Sequence, residues 1–141
     1  MGTVRKLGIV AAVAAASTLS FAGVASAAPV TVPFQIDPAS FGNPNGSFDV
    51  PPMHCAAVVG DQPGTARITG GDPGGWGCPL SSVIQWVNLS TGAIGSAQLS
   101  DGLHGHPPET TVQTGPGQVA LMLNTVGGGV VTPGFATFSV H

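Results

Sequence analysis

The sequence predicts an all-β fold, an antiparallel β-sandwich of about eight short strands with one disulfide. Runs of Val, Ile, Leu and Phe recur along the chain, and turns rich in glycine and proline separate them. Beyond residue 27, no stretch places apolar residues at helical spacing without a helix breaker inside it. The broad architecture is expected to be immunoglobulin-like, except that Trp86 follows both cysteines, Cys55 and Cys78, instead of lying between them.

Glycine and proline dominate the turns, with 22 glycines and 13 prolines in 141 residues. Such a composition approaches that of disordered chains, which is the alternative to a folded domain. Disordered chains are highly charged and lack recurrent apolar runs, whereas this chain has few charges and many such runs. We therefore interpret the glycines and prolines as turn residues.

Residues 1–27 are predicted to be a cleaved signal peptide. Arg5 and Lys6 form a positive start, an apolar and small-residue run follows, and Ala25-Ser26-Ala27 fits the small-x-small cleavage pattern. An uncleaved membrane anchor is the alternative, but a run rich in Ala, Ser and Thr spans a bilayer only marginally. We expect a secreted or cell-envelope protein, with a single domain over residues 28–141 and no transmembrane segment in it.

The strands are predicted in order along the chain. Apolar and polar residues alternate over 30–36, and Pro33 makes this an edge strand because proline donates no backbone hydrogen bond. The next strands are predicted at Phe48 and Val50, at 53–59, at 65–69, at 82–89 as a buried or central strand, and at 93–99. Residues 110–114 and 118–126 are predicted to form a hairpin around Gly115-Pro116-Gly117, and Ala136, Phe138 and Val140 indicate the last strand.

The two cysteines, Cys55 and Cys78, predict a disulfide, because an exported chain reaches an oxidising compartment. Closing a loop of this length stabilises the fold by about 3 kcal/mol on the chain-entropy model. The alternative, two thiolates on a metal, would need a further soft ligand at fixed spacing. The Gly-rich segment 70–77 is expected to form a surface loop that Cys78 tethers.

The charge balance excludes two classes of partner. Without residues 1–27, Arg67 is the single basic side chain against six acidic ones, a net charge of −5. One arginine cannot neutralise a row of phosphates, and anionic headgroups repel an acidic chain. Nucleic acid and acidic membranes are therefore not expected as partners.

Three segments carry a resemblance to known proteins. They are Ala-Ser-Ala-Ala-Pro at 25–29, Trp-Val-Asn-Leu-Ser-Thr-Gly at 86–92 and Thr-Gly-Pro-Gly-Gln-Val at 114–119. In these segments the chain resembles small exported bacterial proteins of sandwich fold, many of them without assigned activity. The resemblance implies a β-sandwich and brings no catalytic motif with it.

Trp76, with glycine on both sides, is the candidate binding residue. A tryptophan in a polar loop either folds back on the core, which is the commoner outcome, or meets a flat ligand such as a sugar ring.

His104 and His106 are the candidate metal ligands, because residues i and i+2 of an extended chain point to one side and could share a Zn²⁺ or Cu²⁺ ion. His54 and Glu109 are possible helpers, and the alternative is an exposed turn.

The favoured function is a non-enzymatic secreted or envelope-associated module that needs no cofactor and binds an envelope or extracellular ligand through its Gly/Pro-rich loops. It could also form oligomers. The alternative is a Zn- or Cu-binding protein that uses His104-Gly105-His106. A small hydrolase is less favoured, because the chain has no Gly-x-Ser-x-Gly motif and its acidic residues are scattered singly in turns.

Overall fold

A computed structural model of the chain describes residues 27–126 and 131–141. Within these residues there are ten strands and one short 3₁₀ turn at Leu103–Gly105. The strands are β1 (Val30–Pro33), β2 (Ala39–Ser40), β3 (Cys55–Val59), β4 (Thr65–Gly70), β5 (Val83–Asn88), β6 (Ile94–Gln98), β7 (Thr110–Gln113), β8 (Gly117–Asn124), β9 (Val131–Thr132) and β10 (Gly134–Val140). The predicted signal peptide lies outside the described residues except for Ala27. None of the described residues belongs to a helix long and apolar enough to cross a membrane.

The strands form two antiparallel four-stranded sheets. The first has the order β1-β3-β4-β7 and the second β10-β8-β5-β6, while β2 and β9 pair separately. Buried side chains from both large sheets share one core, as expected of two sheets packed face to face. The predicted antiparallel β-sandwich is therefore confirmed.

Alternation along the strands decides which residues form this core. In β8, Val119, Leu121 and Leu123 are buried and Met122 between them is exposed, as the sequence pattern predicts. In β10, the alternate residues Ala136, Phe138 and Val140 are buried in the same cluster. β5 lies between β8 and β6, so the predicted central strand is confirmed.

The first strand is shorter than predicted and leaves its sheet early. β1 ends at Pro33 and pairs only with β3, which confirms the predicted edge position. The chain then crosses to the other sheet, where Ile36 and Phe135 form an isolated antiparallel bridge. The single strand predicted over residues 30–36 therefore contributes to the borders of both sheets.

Two strand predictions are wrong. Phe48 and Val50 belong to no strand, and the Phe48 side chain is fully exposed, since no neighbouring strand reaches it. The predicted hairpin of residues 110–126 is not a hairpin either. β7 pairs with β4 in the first sheet and β8 pairs with β5 and β10 in the second, so Gly115-Pro116-Gly117 lies at a crossover between sheets.

The immunoglobulin-like label is not confirmed beyond the two-sheet architecture. In immunoglobulin domains the second and third strands lie in different sheets, and the disulfide joins strands of the two sheets. The two-residue β2 belongs to neither large sheet, so β3 and β4 are the second and third strands to compare, and they are neighbours in one sheet. Cys55 of β3 is bonded to Cys78 in the connection that leads to β5. The topology therefore differs from that of an immunoglobulin domain at β4.

Candidate functional site

Two crossover connections meet at one end of the sandwich. Residues 71–82 lead from β4 to β5, and residues 99–109 lead from β6 to β7. The Ser81 N–H donates to the Ser100 carbonyl at 3.1 Å, and the Leu99 N–H donates to the Ser82 carbonyl at 2.9 Å. We call this surface the tryptophan end and define it by the residues Trp76, Leu80, Ser81, Gln98, Ser100, Asp101, Gly102 and Leu103.

The disulfide fixes the loop that carries Trp76. Cys55 and Cys78 have their Cα atoms 4.8 Å apart, which confirms the predicted bond. Beside it, the His54 N–H donates to the Gly77 carbonyl at 2.9 Å, and the Gly71 N–H donates to the His54 carbonyl at 2.8 Å. Both ends of the loop are thereby tied to the residue before β3, as the prediction of a tethered surface loop requires.

Trp76 does not fold back on the core, which corrects the commoner outcome expected from the sequence. Its side chain is 57% exposed, although its ring lies against Gly102 of the second connection. A Cβ atom on Gly102 would lie 2.7 Å from Leu80 Cδ2 and 3.2 Å from Trp76 Cζ3. The indole is therefore positioned by close contact and still presents much of its surface to solvent.

A polar depression is formed by chain neighbours of Leu80 and Gly102. Its volume is about 440 Å³, and it is lined by Ser81, Gln98, Leu99, Ser100 and Asp101. The Gln98 amide donates to the Ser81 carbonyl at 2.8 Å, and Asp101 Oδ1 accepts from the Leu103 N–H at 3.0 Å. Leu80 and Leu103 are exposed nearby, at 50% and 61%. The tryptophan end thus combines an aromatic face, hydroxyls, an amide and one carboxylate.

His104 and His106 do not have the geometry on which the metal prediction depends. His104 lies inside the 3₁₀ turn at φ 60° and ψ 21°, so the segment is not an extended chain with both rings on one side. The proposed helpers are engaged elsewhere, since His54 Nδ1 lies 2.9 Å from Asp37 Oδ2 and Glu109 Oε2 lies 3.5 Å from Arg67 Nη1. Among the described residues, no three His, Cys, Asp or Glu side chains cluster as a metal site would require.

A second, apolar depression lies on the outer face of the second sheet. It measures about 280 Å³, and its lining includes Val87, Ala120, Met122 and Phe135. The lining residues are all uncharged, and they belong to β5, β8 and β10. This lining is largely apolar, whereas the tryptophan end combines an exposed indole with hydroxyl, amide and carboxylate groups, so the tryptophan end is the better candidate site.

The sequence pattern predicts the disulfide and singles out Trp76 as a candidate, but it does not single out Leu80 and Gly102. Asp101-Gly102 has the composition of a turn, and Gly102 has φ +71°. Its contact with Trp76 depends on how two distant connections meet, which no local pattern in the chain encodes.

Two of the three segments that carried the resemblance to exported sandwich proteins touch each other in the structure. The Asn88 amide of segment 86–92 donates to the carbonyls of Thr114 and Pro116 of segment 114–119, at 3.0 Å each. This contact explains why both segments matter to the fold, but it does not identify a family. Comparisons of the chain with protein-family models, with curated proteins and with solved structures find no match.

Proposed function

We propose that this protein is an exported, non-enzymatic binding module whose tryptophan end contacts an envelope or extracellular ligand. The observation that carries the proposal is the exposure of Trp76 on a loop that a disulfide tethers. Exposing an indole to water is unfavourable, whereas an indole already fixed in place loses little conformational entropy on binding. Such a residue favours recognition over a purely structural role.

The chemistry around Trp76 favours a carbohydrate ligand. The apolar face of a sugar ring can pack on an indole, and its hydroxyls can bond to neighbouring polar groups. Ser81, Gln98, Ser100 and Asp101, which line the depression at the tryptophan end, supply such groups. The acidic balance of the chain disfavours phosphate-rich or strongly acidic polymers, so a neutral polysaccharide is the class to test first.

The test is binding to a panel of neutral cell-wall and extracellular polysaccharides, with tryptophan emission as the readout. We expect at least one polymer to be retained and to shift the emission to shorter wavelength. Trp76→Ala is expected to abolish retention, whereas Phe48→Ala, which removes another exposed aromatic side chain, leaves it unchanged. Equal retention by the wild type and Trp76→Ala would reject the tryptophan end as the binding surface.

Export is the second part of the proposal. The Cys55–Cys78 bond supports it, because disulfides persist in oxidising compartments. Expression of the full chain in a bacterial host should yield a product whose N-terminus begins at Ala28, recovered from the periplasm or the medium. A product that retains residues 1–27 in the cytoplasm, with free thiols, would contradict the proposal.

A further inference from the structure

The two sheets of the sandwich have four outer edges, and two of these, at β1 and β10, are protected along part of their length. The Phe34 N–H donates to the Cys55 carbonyl at 2.9 Å, so by alternation the nitrogen of Pro33 faces outward, where proline offers no donor. Along β10, the Ile36 N–H donates to the Phe135 carbonyl at 3.1 Å, and the Phe135 N–H donates back to Ile36 at 2.7 Å. Both edges are thereby protected against pairing with another chain.

The third edge strand, β7, is short and lies close to charged side chains. It has four residues, and Glu109 immediately precedes it. The Arg67 side chain of the adjacent β4 is within 3.5 Å of that carboxylate. Short length and nearby charge are common means by which proteins prevent sheet edges from associating.

The fourth edge, β6, carries none of these protections. Its sequence, Ile-Gly-Ser-Ala-Gln, contains no proline and no charge. Hydrogen bonds flank the β5–β6 ladder at the Ser82–Leu99 and Asn88–Ala93 pairs, so by alternation Ile94, Ser96 and Gln98 direct their backbone groups away from β5. Among the described residues these backbone groups have no hydrogen-bond partner.

We propose that β6 pairs with β6 of a second copy of this chain, antiparallel and about a two-fold axis through Ser96. In this register Ser96 faces Ser96 of the second copy, and Ile94 faces Gln98. These are the residues whose backbone groups are free, so each pair exchanges two N–H···O=C bonds. Gly95 would lie opposite Ala97, and since neither residue carries more than a methyl group, the two strands can approach.

The distribution of charge favours this edge as the place where two copies of the chain meet. Without residues 1–27 the chain has a net charge of −5, and two like-charged molecules repel each other wherever their acidic groups approach. The second sheet has no charged residue in any of its four strands, so a dimer through β6 avoids that repulsion. The strand is five residues long, so the contact is smaller than a standard interface and the dimer should dissociate on dilution.

The test is the oligomeric state of the disulfide-bonded chain by sedimentation velocity, over a concentration range from roughly 10 μM to 1 mM, which covers weak association. The wild type is expected to approach twice the monomer mass at the upper end. Ser96→Lys places like charges opposite each other on the two-fold axis and is expected to remain a monomer throughout. Ser139→Lys adds the same charge to an exposed position on β10 and is expected to dimerise like the wild type.

A charge swap distinguishes pairing at Ser96 from a general effect of charge. Ser96→Lys and Ser96→Glu should each be monomeric alone, and their equimolar mixture should form a heterodimer. Far-UV circular dichroism of each variant checks that it is folded. The proposal would be overturned by a wild type that stays monomeric at 1 mM, or by a Ser96→Lys variant that dimerises as the wild type does. Binding of a strand from another protein to β6 would not rescue it.

Discussion

At the scale of single residues, the Asn88 side chain makes five hydrogen bonds that join two turns. It is fully buried at the end of β5, and its amide donates to the carbonyls of Thr114, Gly115 and Pro116 at 3.0, 3.3 and 3.0 Å. Its Oδ1 accepts from the N–H groups of Ser90 and Thr91. One side chain therefore supplies hydrogen-bond partners for backbone groups in both the turn after β5 and the crossover from β7 to β8.

Replacing Asn88 by alanine leaves several part-buried backbone groups without partners. We expect Asn88→Ala to lower the free energy of unfolding by about 3 kcal/mol, the upper end for loss of a buried hydrogen-bonding partner. Urea unfolding followed by circular dichroism measures it. Asn43→Ala is the control, since Asn43 makes similar turn bonds on the exposed surface and its loss should cost under about 1 kcal/mol. Equal costs would show that the crossover does not depend on Asn88.

Gly102 has a comparable role at the candidate site, and a second glycine offers a matched comparison. Gly102 and Gly105 have φ of +71° and +77°, but only at Gly102 would an added Cβ collide with Leu80 and approach Trp76. Gly105→Ala should cost about 1 kcal/mol of unfolding free energy from left-handed backbone strain alone. Gly102→Ala should cost a similar amount, because the exposed Leu80 side chain can move aside, but it should displace the Trp76 ring and weaken polysaccharide binding, which urea unfolding and retention assays measure. Equal retention of polysaccharide by the two variants would show that Gly102 does not position Trp76.

At the scale of elements, the strands that could be predicted are those with a sufficiently long apolar pattern, whether continuous, as in β3 and β5, or alternating, as in β8 and β10. β8 and β10 show apolar residues at every second position, and both occur where the sequence places them. Phe48 and Val50 show the same spacing over too few residues to meet a partner strand. Alternation therefore predicts a strand only where the chain is long enough to pair.

Which strands pair with each other is harder to predict from the sequence than where the strands lie. A Gly-Pro-Gly turn between two strands has the composition of a hairpin turn and of a crossover alike. What decides between them is Asn88, which lies far away in the sequence and bonds the turn. For the same reason the sequence could single out Trp76 as a candidate binding residue, but it could not predict the contact of Trp76 with Gly102.

The disulfide also acts at the level of elements, because it joins β3 to the connection that leads into the other sheet. Its cysteines are 23 positions apart, and closing such a loop stabilises the fold by about 3 kcal/mol in the chain-entropy model. We expect the double variant Cys55→Ala, Cys78→Ala to lose about that much unfolding free energy in urea and to keep a β-type circular dichroism spectrum. Loss of the β-type spectrum would mean that the bond is required to form the sandwich at all.

At the scale of the whole molecule, charge is distributed unequally between the two sheets. Arg67 lies on β4 of the first sheet, with Asp61 and Glu109 beside it. The second sheet has no charged residue in its four strands, and its outer face exposes Met122 and Phe135. Uncharged apolar faces are the parts of a surface that associate first when a salt such as ammonium sulfate, which is excluded from protein surfaces, strengthens apolar burial.

Because of this asymmetry, we expect association through the outer face of the second sheet to limit the solubility of the protein. Met122 is 40% exposed there, so Met122→Glu should change the unfolding free energy by less than about 1 kcal/mol. The same change should raise the ammonium sulfate concentration at which the protein precipitates. Thr31→Glu adds the same charge to exposed β1 of the first sheet and should raise that concentration less. If both variants precipitate at the same concentration, net charge rather than this face governs solubility.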